Sequence, residues 1–193
     1  MQTEIIKALK VLINGGIILY PTDTIWGLGC DASNQDAIQK IYYIKQREES
    51  KALISLVSDT NMLLKYTNHI PKFNISDQPT TVIYPNVKGL SKNLLPKDGS
   101  AAIRISSDEF CYKLIQKFNR AIVSTSANIS GEESPKQFSD ISTHIKNNAE
   151  IIYWDQKRLL RPLNLSNSSF AYNPLLPSFC AHSLMSTAKL STT

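Results

Sequence analysis

Segments with helical periodicity alternate with short apolar runs of strand character along the first 154 residues of this chain. In residues 4–13 apolar side chains recur at helical spacing, Gly15-Gly16 interrupts that pattern, and residues 17–20 are typical of a buried strand. The same reasoning predicts further helices over 36–45, 60–66, 108–118 and 136–145, and further strands over 53–57, 80–84, 101–105, 121–124 and 151–154. Such alternation favours an α/β or mixed α+β fold with a single sheet flanked by helices.

Size and hydropathy limit the class of protein. The chain has 193 residues, of which 42% are apolar, and this suits one globular domain. The longest apolar run, residues 17–20, is far shorter than a membrane span, and the first residues lack the pattern of a signal peptide. We therefore expect a soluble, cytoplasmic protein with no membrane contact. The widely spaced Cys30, Cys111 and Cys180 form no C-x-x-C pair, so we expect them to be small buried hydrophobic residues.

The charge is unevenly distributed along the chain. All 16 acidic residues lie at or before Asp155, whereas residues 156–193 carry basic residues and no acidic ones. Residues 1–155 are therefore almost neutral. The net charge of +5 thus gives little support to nucleic-acid binding by this part of the chain. The change in composition predicts a folded domain over 1–155 and a divergent, irregular tail over 156–193.

A hydroxyl-rich segment over residues 20–28 follows the first predicted strand. Ligands often bind where strands of an α/β sheet end, because backbone groups run out of sheet partners there. The hydroxyls of Thr22 and Thr24 can donate and accept hydrogen bonds to a small polar substrate. The alternative is a hydroxyl-rich turn capped by Asp23, with Trp26 in the core.

Three basic residues, Lys45, Arg47 and Lys51, fall at the end of the predicted helix over 36–45. Cations at this position complement the helix dipole, and that alone could explain them. The functional alternative is a polyphosphate clamp, because transfer to phosphorus requires fixed positive charge near the phosphate oxygens. Arginine offers a planar fork and lysine a point charge, which together suit a phosphate group.

Residues 124–131 form a second polar segment after a predicted strand. This segment carries more hydroxyl and amide side chains than a plain loop requires, among them Ser126 and Asn128. The amide of Asn128 can donate to a ligand and also accept from it. A polar loop without a ligand is the alternative.

Arg104 lies inside the apolar run of residues 101–105. Strand alternation puts Ala102, Arg104 and Ser106 on one face of the sheet. The arginine therefore either lies on a solvated face or reaches into a site.

Several common catalytic motifs are missing from the sequence. We find no P-loop, no dinucleotide-binding glycine motif, no zinc-protease motif and no nucleophile elbow. The three histidines, His69, His144 and His182, have no spacing typical of metal ligands or a catalytic triad, so we predict no protein-held metal. The residues themselves indicate a hydroxyl-rich site beside basic side chains, suited to an anionic ligand.

Taken together, four segments resemble the YrdC-type family of threonylcarbamoyl-AMP synthases, also called L-threonylcarbamoyladenylate synthases. They are GGIILYPTDTIWGLGCDA over residues 15–32, the Lys45-x-Arg47 helix end, AAIRI around Arg104, and STSANISG over residues 124–131. The resemblance extends from about residue 12 to residue 141. It implies a twisted, mixed sheet with a concave, positively lined cleft, and it makes residues 1–155 the catalytic domain.

The resemblance also implies a reaction. L-Threonine, bicarbonate or CO2, and ATP would give threonylcarbamoyl-AMP and pyrophosphate, which is a nucleotidyltransferase reaction. By motif, Thr22 and Thr24 would hold threonine, and Arg104 would hold its carboxylate or a phosphate. Lys45, Arg47 and Lys51 would bind the triphosphate, with Lys45 and Arg47 the catalytic pair, and Ser126 and Asn128 would complete the site. Mg2+ is expected on the triphosphate, held largely by phosphate oxygens.

The family role lies in tRNA processing, because the product supplies the t6A modification at adenosine 37. The transfer machinery of that pathway is the implied partner, and a direct contact with RNA or tRNA is a further possibility. The chain departs from the family pattern after residue 155, where the usual Pro-Ser-Thr-Ile segment and a later arginine are missing. An inactive or differently acting paralogue, or an RNA-binding module, therefore stands as the alternative.

Overall fold

The computed structural model describes residues 1–22, 25–48, 53–70 and 80–152, together with the backbone of residues 169–171. The strands are β1 Ile18–Pro21, β2 Trp26–Asp31, β3 Ile54–Val57, β4 Thr80–Tyr84, β5 Ala101–Ile105, β6 Ile122–Ser126, β7 Glu150–Ile151 and β8 Ser169–Ala171. They form one mixed sheet in the order β7-β1-β2-β6-β3-β5-β4-β8. The predicted single mixed sheet is confirmed.

Five helices accompany the sheet in the described part of the chain. They are α1 Gln2–Ile13, α2 Gln35–Ile44, α3 Thr60–Leu63, α4 Glu109–Phe118 and α5 Thr143–Asn147. Short polar side chains accept a backbone N–H at the start of most of them, and these caps are Asn34, Asp59, Asp108 and Ser142. None of the described helices is long and apolar enough to cross a bilayer.

The helix predicted over 136–145 is wrong. A short 3-10 turn, Phe138–Asp140, stands there instead, and α5 begins only at Thr143. The Asp140 carboxylate accepts the backbone N–H groups of Lys136 and Gln137 and so caps the start of this turn, and Ser142 is extended before it caps α5. The Phe138 ring packs on Trp26 at 5.1 Å between ring centroids, so a tertiary contact outweighs helical spacing here.

Strand β2 and strand β8 were not predicted from the sequence. β8 lies within the predicted irregular tail and pairs in parallel with β4. The rest of that tail, including Cys180, and the predicted strand end at residues 153–154 lie outside the described residues. Cys30 and Cys111 are buried, as predicted.

The sheet register divides the strand residues between two faces. Cross-strand pairs place Tyr20, Ser124, Ser126 and Arg104 on one face, which we call the Ser124 face. Trp26 lies on the opposite face, against which α2 packs. On the Ser124 face the ring of Tyr20 contacts Phe110 of α4, with 6.3 Å between ring centroids.

Glycine at position 29 lets Tyr20 lie across the neighbouring strand. A Cβ atom on Gly29 would come within 2.9 Å of Tyr20 Cε1 and 3.0 Å of the Val123 carbonyl oxygen. One of these neighbours is backbone within the sheet and cannot move aside easily. This close approach explains why a strand with two glycines, which sequence propensity disfavours, is still a central strand.

Replacing Gly29 with alanine is expected to destabilise the fold by about 2–3 kcal/mol, which is the usual cost of overpacking a core. Denaturant unfolding of the variant measures this free energy. Gly27→Ala is the matched control, because its Cβ would meet Thr22 Cγ2 at 3.2 Å and the Thr125 carbonyl at 3.4 Å. A cost for Gly29→Ala equal to or below that of Gly27→Ala would contradict the close-approach explanation.

Candidate functional site

The side chain of Lys45, at the end of α2, reaches the loop that follows β6. Its Nζ donates to the carbonyl oxygens of Ser126 at 2.5 Å and of Asn128 at 2.6 Å, and it lies 3.4 Å from Asn128 Oδ1. The backbone carbonyl of Lys45 accepts the N–H of Ser130 at 2.8 Å. Loop 126–130 therefore folds around this lysine, which joins three of the residues predicted for the site.

Lys45 is a buried cation with only 1% of its surface exposed. Burial is the larger cause and the charge of nearby Arg47 the smaller one that together lower the pKa of its ammonium to about 7, against the opposing effect of the Glu132 carboxylate. The surrounding carbonyl oxygens favour the charged form. The arrangement leaves an ammonium group whose charge responds readily to an anion placed beside it.

Arg47 follows Lys45 on the same turn of chain. Helix α2 ends through Gln46, whose φ of 48° lies in the left-handed region, and the Arg47 N–H then donates to the Tyr42 carbonyl at 2.9 Å. Burial lowers the pKa of Arg47, but a guanidinium keeps its charge at any physiological pH. Two cations thus occupy the negative end of the α2 dipole.

The amide of Asn128 organises its own loop. Its Oδ1 faces the Lys45 ammonium, and its Nδ2 donates to the Glu132 carbonyl at 2.6 Å. The Glu132 carboxylate in turn accepts the N–H of Ile129 at 3.4 Å. The polar loop predicted from the sequence is therefore stabilised by the side-chain amide of Asn128 and by the ammonium of Lys45.

Thr22 closes the turn between β1 and β2. Its hydroxyl donates to the Ile25 carbonyl at 2.7 Å and accepts the Ile25 N–H at 3.1 Å. This geometry gives Thr22 a structural role in the turn. Thr24 and Lys51 lie outside the described residues.

Arg104 lies on the Ser124 face, apart from the Lys45 cluster at the end of β6. Its Nε donates at 2.8 Å to the hydroxyl of Thr81, its partner across β4 and β5. Arg104 pairs with Leu56 of β3, and Leu56 pairs in turn with Ile122 of β6. Ile122 lies four residues before Ser126. Two strand spacings of about 4.8 Å and four residues at about 3.3 Å separate the Cα atoms of Arg104 and Ser126 by roughly 16 Å. An extended ligand would be needed to contact both.

Sequence reasoning did not assign a role to Thr81 or to Ser124, although Ser124 begins the polar segment over residues 124–131. Thr81 becomes visible only when β4 and β5 are paired, which no local pattern reveals. Ser124 could have been found by alternation, since it lies two residues before Ser126 and shares its face. In the described ranges no group of three or more His, Cys, Asp or Glu side chains could hold a metal ion.

The fold and the site define an α/β protein with cations and polar side chains gathered where a central strand ends. More specifically, the chain belongs to the Sua5/YciO/YrdC family, whose model, described as "Telomere recombination", matches residues 10–160. The resemblance inferred from the sequence is confirmed. A threonylcarbamoyl-AMP synthase of Pseudoalteromonas translucida (strain TAC 125) is 36% identical over 141 residues, which cover 69% of this chain and 75% of that protein.

Solved structures share the fold. The crystal structure of P. abyssi Sua5 complexed with L-threonine matches with a TM-score of 0.68 and 26% identity, over 76% of this chain and 45% of that one. This chain therefore spans less than half of the P. abyssi protein. E. coli YciO matches with a TM-score of 0.71 and 22% identity, over 90% of this chain and 86% of that one, and this likeness concerns the fold alone.

Proposed function

We propose that this protein is an enzyme that makes threonylcarbamoyl-AMP and pyrophosphate from L-threonine, bicarbonate or CO2, and ATP. The observation that carries the proposal is the cluster of Lys45, Ser126 and Asn128 beside Arg47. Family membership and relatives named threonylcarbamoyl-AMP synthase support it. The reaction class would be nucleotidyl transfer, since an adenylyl group moves to an oxygen of the threonine carbamate.

The proposed chemistry needs no covalent intermediate with the protein. The threonine amino group takes up CO2, loses a proton and becomes a carbamate. A carbamate oxygen then attacks the α-phosphorus of ATP, and the bond between that phosphorus and the bridging oxygen to the β-phosphate breaks. Pyrophosphate leaves with the bond electrons, so most of the rate would come from positioning and electrostatics.

Each site residue receives a role in this proposal. Arg47, Lys45 and Lys51 bind the triphosphate and offset the charge that builds up on pyrophosphate. Arg104 binds the threonine carboxylate or a phosphate, and its distance from the Lys45 cluster suits a ligand that extends from amino acid to triphosphate. Thr24 binds threonine, and Thr22 stabilises the turn before it. Ser126 and Asn128 contact the nucleotide and the carbamate.

Mg2+ enters the proposal as part of the substrate. Phosphate oxygens of ATP supply most of its ligands, so no cluster of carboxylates is required of the protein. The cation would neutralise charge on the β- and γ-phosphates. Arg47 and Lys45 would add to this from the protein side.

Pyrophosphate release from ATP and bicarbonate, measured with and without L-threonine, tests the proposal. We expect release to depend on threonine, because the carbamate of threonine is the nucleophile. Serine serves as a matched control, since it lacks one methyl group and should react more slowly by a factor of about 10. ATP binding without threonine-dependent release would contradict the synthase and favour a paralogue of the same fold.

The later steps of the pathway are proposed by the same argument. The product would pass in the cytoplasm to the transfer machinery that modifies adenosine 37 of tRNA. A direct contact with tRNA would reveal itself as an affinity that falls steeply with salt. An affinity for tRNA that does not change in Lys45→Ala with Arg47→Ala would exclude the cleft as its binding surface.

A further inference from the structure

Ser124 lies on the path between the two parts of the proposed site. On β6 it pairs with Gly29 of β2 and with Ile54 of β3, and it is partly exposed. Along β6 it is about 7 Å from Ser126, and across two strands it is roughly 12 Å from Arg104, counted between Cα atoms. A straight path between Arg104 and Ser126 crosses β3 at Ile54, and Ser124 is the hydroxyl residue of β6 paired with Ile54 beside that path.

The hydroxyl of Ser124 is oriented by Tyr20, which lies on the same face of the sheet. The Tyr20 hydroxyl donates to Ser124 Oγ at 3.0 Å. The Tyr20 ring is fully buried, packs on Phe110 and lies across Gly29, whose missing Cβ makes room for it. Because the ring cannot move, the acceptor side of the Ser124 hydroxyl is fixed by the core.

This arrangement leaves the Ser124 hydrogen to point away from Tyr20. The structure shows no second hydrogen-bond partner for Ser124 Oγ among the residues it describes. A hydroxyl that accepts from a buried phenol becomes a better donor, because hydrogen bonds in a chain polarise one another. A donor fixed in this way suits an anionic oxygen.

We propose that Ser124 is a further catalytic residue that donates a hydrogen bond to an anionic oxygen where the carbamate meets the α-phosphate, and that Tyr20 is its positioning residue. This inference rests on the proposed function, which assigns the ends of the ligand to Arg104 and the Lys45 cluster. The reacting atoms lie between those ends, and Ser124 is the partly exposed hydroxyl of β6 found there.

The neighbouring Thr125 provides a matched control. It is also a partly exposed hydroxyl residue of β6, but strand alternation puts it on the opposite face of the sheet. A general effect of weakening β6 would appear in both variants. An effect of the Ser124 hydroxyl on the reaction would appear only in Ser124→Ala.

The test measures threonine-dependent pyrophosphate release by Ser124→Ala, Tyr20→Phe, the double variant and Thr125→Ala. Ser124→Ala should lower kcat about 10-fold with little change in KM, because the hydrogen bond strengthens as charge develops in the transition state. Tyr20→Phe should lower kcat about 3-fold. The double variant should be no slower than Ser124→Ala, since Tyr20 acts through Ser124, and Thr125→Ala should stay within 2-fold of the unmodified protein.

Failure of the inference can be distinguished from failure of the proposed function. An unmodified protein that turns over with threonine, but is insensitive to Ser124→Ala, overturns the inference alone. Equal losses in Ser124→Ala and Thr125→Ala, or fully additive losses in the double variant, also overturn it. If the unmodified protein shows no threonine-dependent release, the proposed function fails and the inference with it.

Discussion

Replacing Arg47 with alanine is expected to lower kcat/KM for ATP in threonine-dependent pyrophosphate release by about 100- to 1000-fold. The size follows from removing a preorganised charge that faces developing negative charge in a partly buried site. Arg47 fits this role because α2 ends at Lys45 and Gln46 turns the chain through the left-handed region just before it. Steady-state kinetics with varied ATP at saturating threonine measure the loss.

Two control variants make the Arg47 result specific. Lys40→Ala removes an exposed cation from the same helix and should leave kcat/KM within 2-fold, because weakly placed surface charges matter little. Arg47→Lys keeps the charge but loses the planar fork, so it should recover only part of the activity. If Arg47→Ala and Lys40→Ala behave alike, Arg47 is no phosphate ligand and only complements the helix dipole.

Local patterns were sufficient where an element depends on its own residues. Helix α2 was predicted from its apolar spacing, and in the structure Asn34 caps it while Ala37, Ile38 and Ile41 are buried. Strands β4 and β5 were predicted at their observed bounds. In these segments residue propensity, hydrophobic pattern and capping all favour the observed element, so tertiary contacts do not change the local structure.

Local patterns failed where a distant part of the chain decides the structure. Strand β2, which carries two glycines, was not predicted, and the close approach of the Tyr20 ring from β1 accounts for the glycine at position 29. The helix expected over 136–145 gives way to a turn because Phe138 packs on Trp26. Neither contact leaves a trace in the local sequence, and this is the physical reason why β2 was missed and the helix over 136–145 was wrong.

In the candidate site, too, the sequence predicted which residues take part but not which atoms they contact. The sequence predicted that Lys45, Ser126 and Asn128 belong together, and the structure places them in contact. The sequence could not predict that the Lys45 ammonium donates to carbonyl oxygens of the protein. Nor could it predict that the Thr22 hydroxyl forms hydrogen bonds with the backbone of Ile25. A hydroxyl-rich segment after a strand therefore predicts a candidate site, while the contacts of its members depend on the fold.

Lys45 gives rise to a second large effect, which is a dependence of ATP affinity on pH. Because the pKa of Lys45 is about 7 in the free protein, the ammonium is mostly neutral at pH 8. The phosphates of ATP favour the charged form and raise this pKa, so binding takes up a proton. Between the two pKa values the affinity should fall as pH rises, by up to about 10-fold per pH unit for one linked proton.

Calorimetry of ATP binding at pH 8, in buffers of different ionisation enthalpy, measures that proton directly. The unmodified protein should take up close to one proton, whereas Lys45→Met should take up almost none and bind ATP with little change between pH 7.5 and 9. Arg47→Ala is a second test, because removing that charge raises the pKa of Lys45 in the free protein and should reduce the uptake. Uptake that survives in Lys45→Met would assign the linked proton to another group and would contradict the role of Lys45 as the cation that responds to ATP.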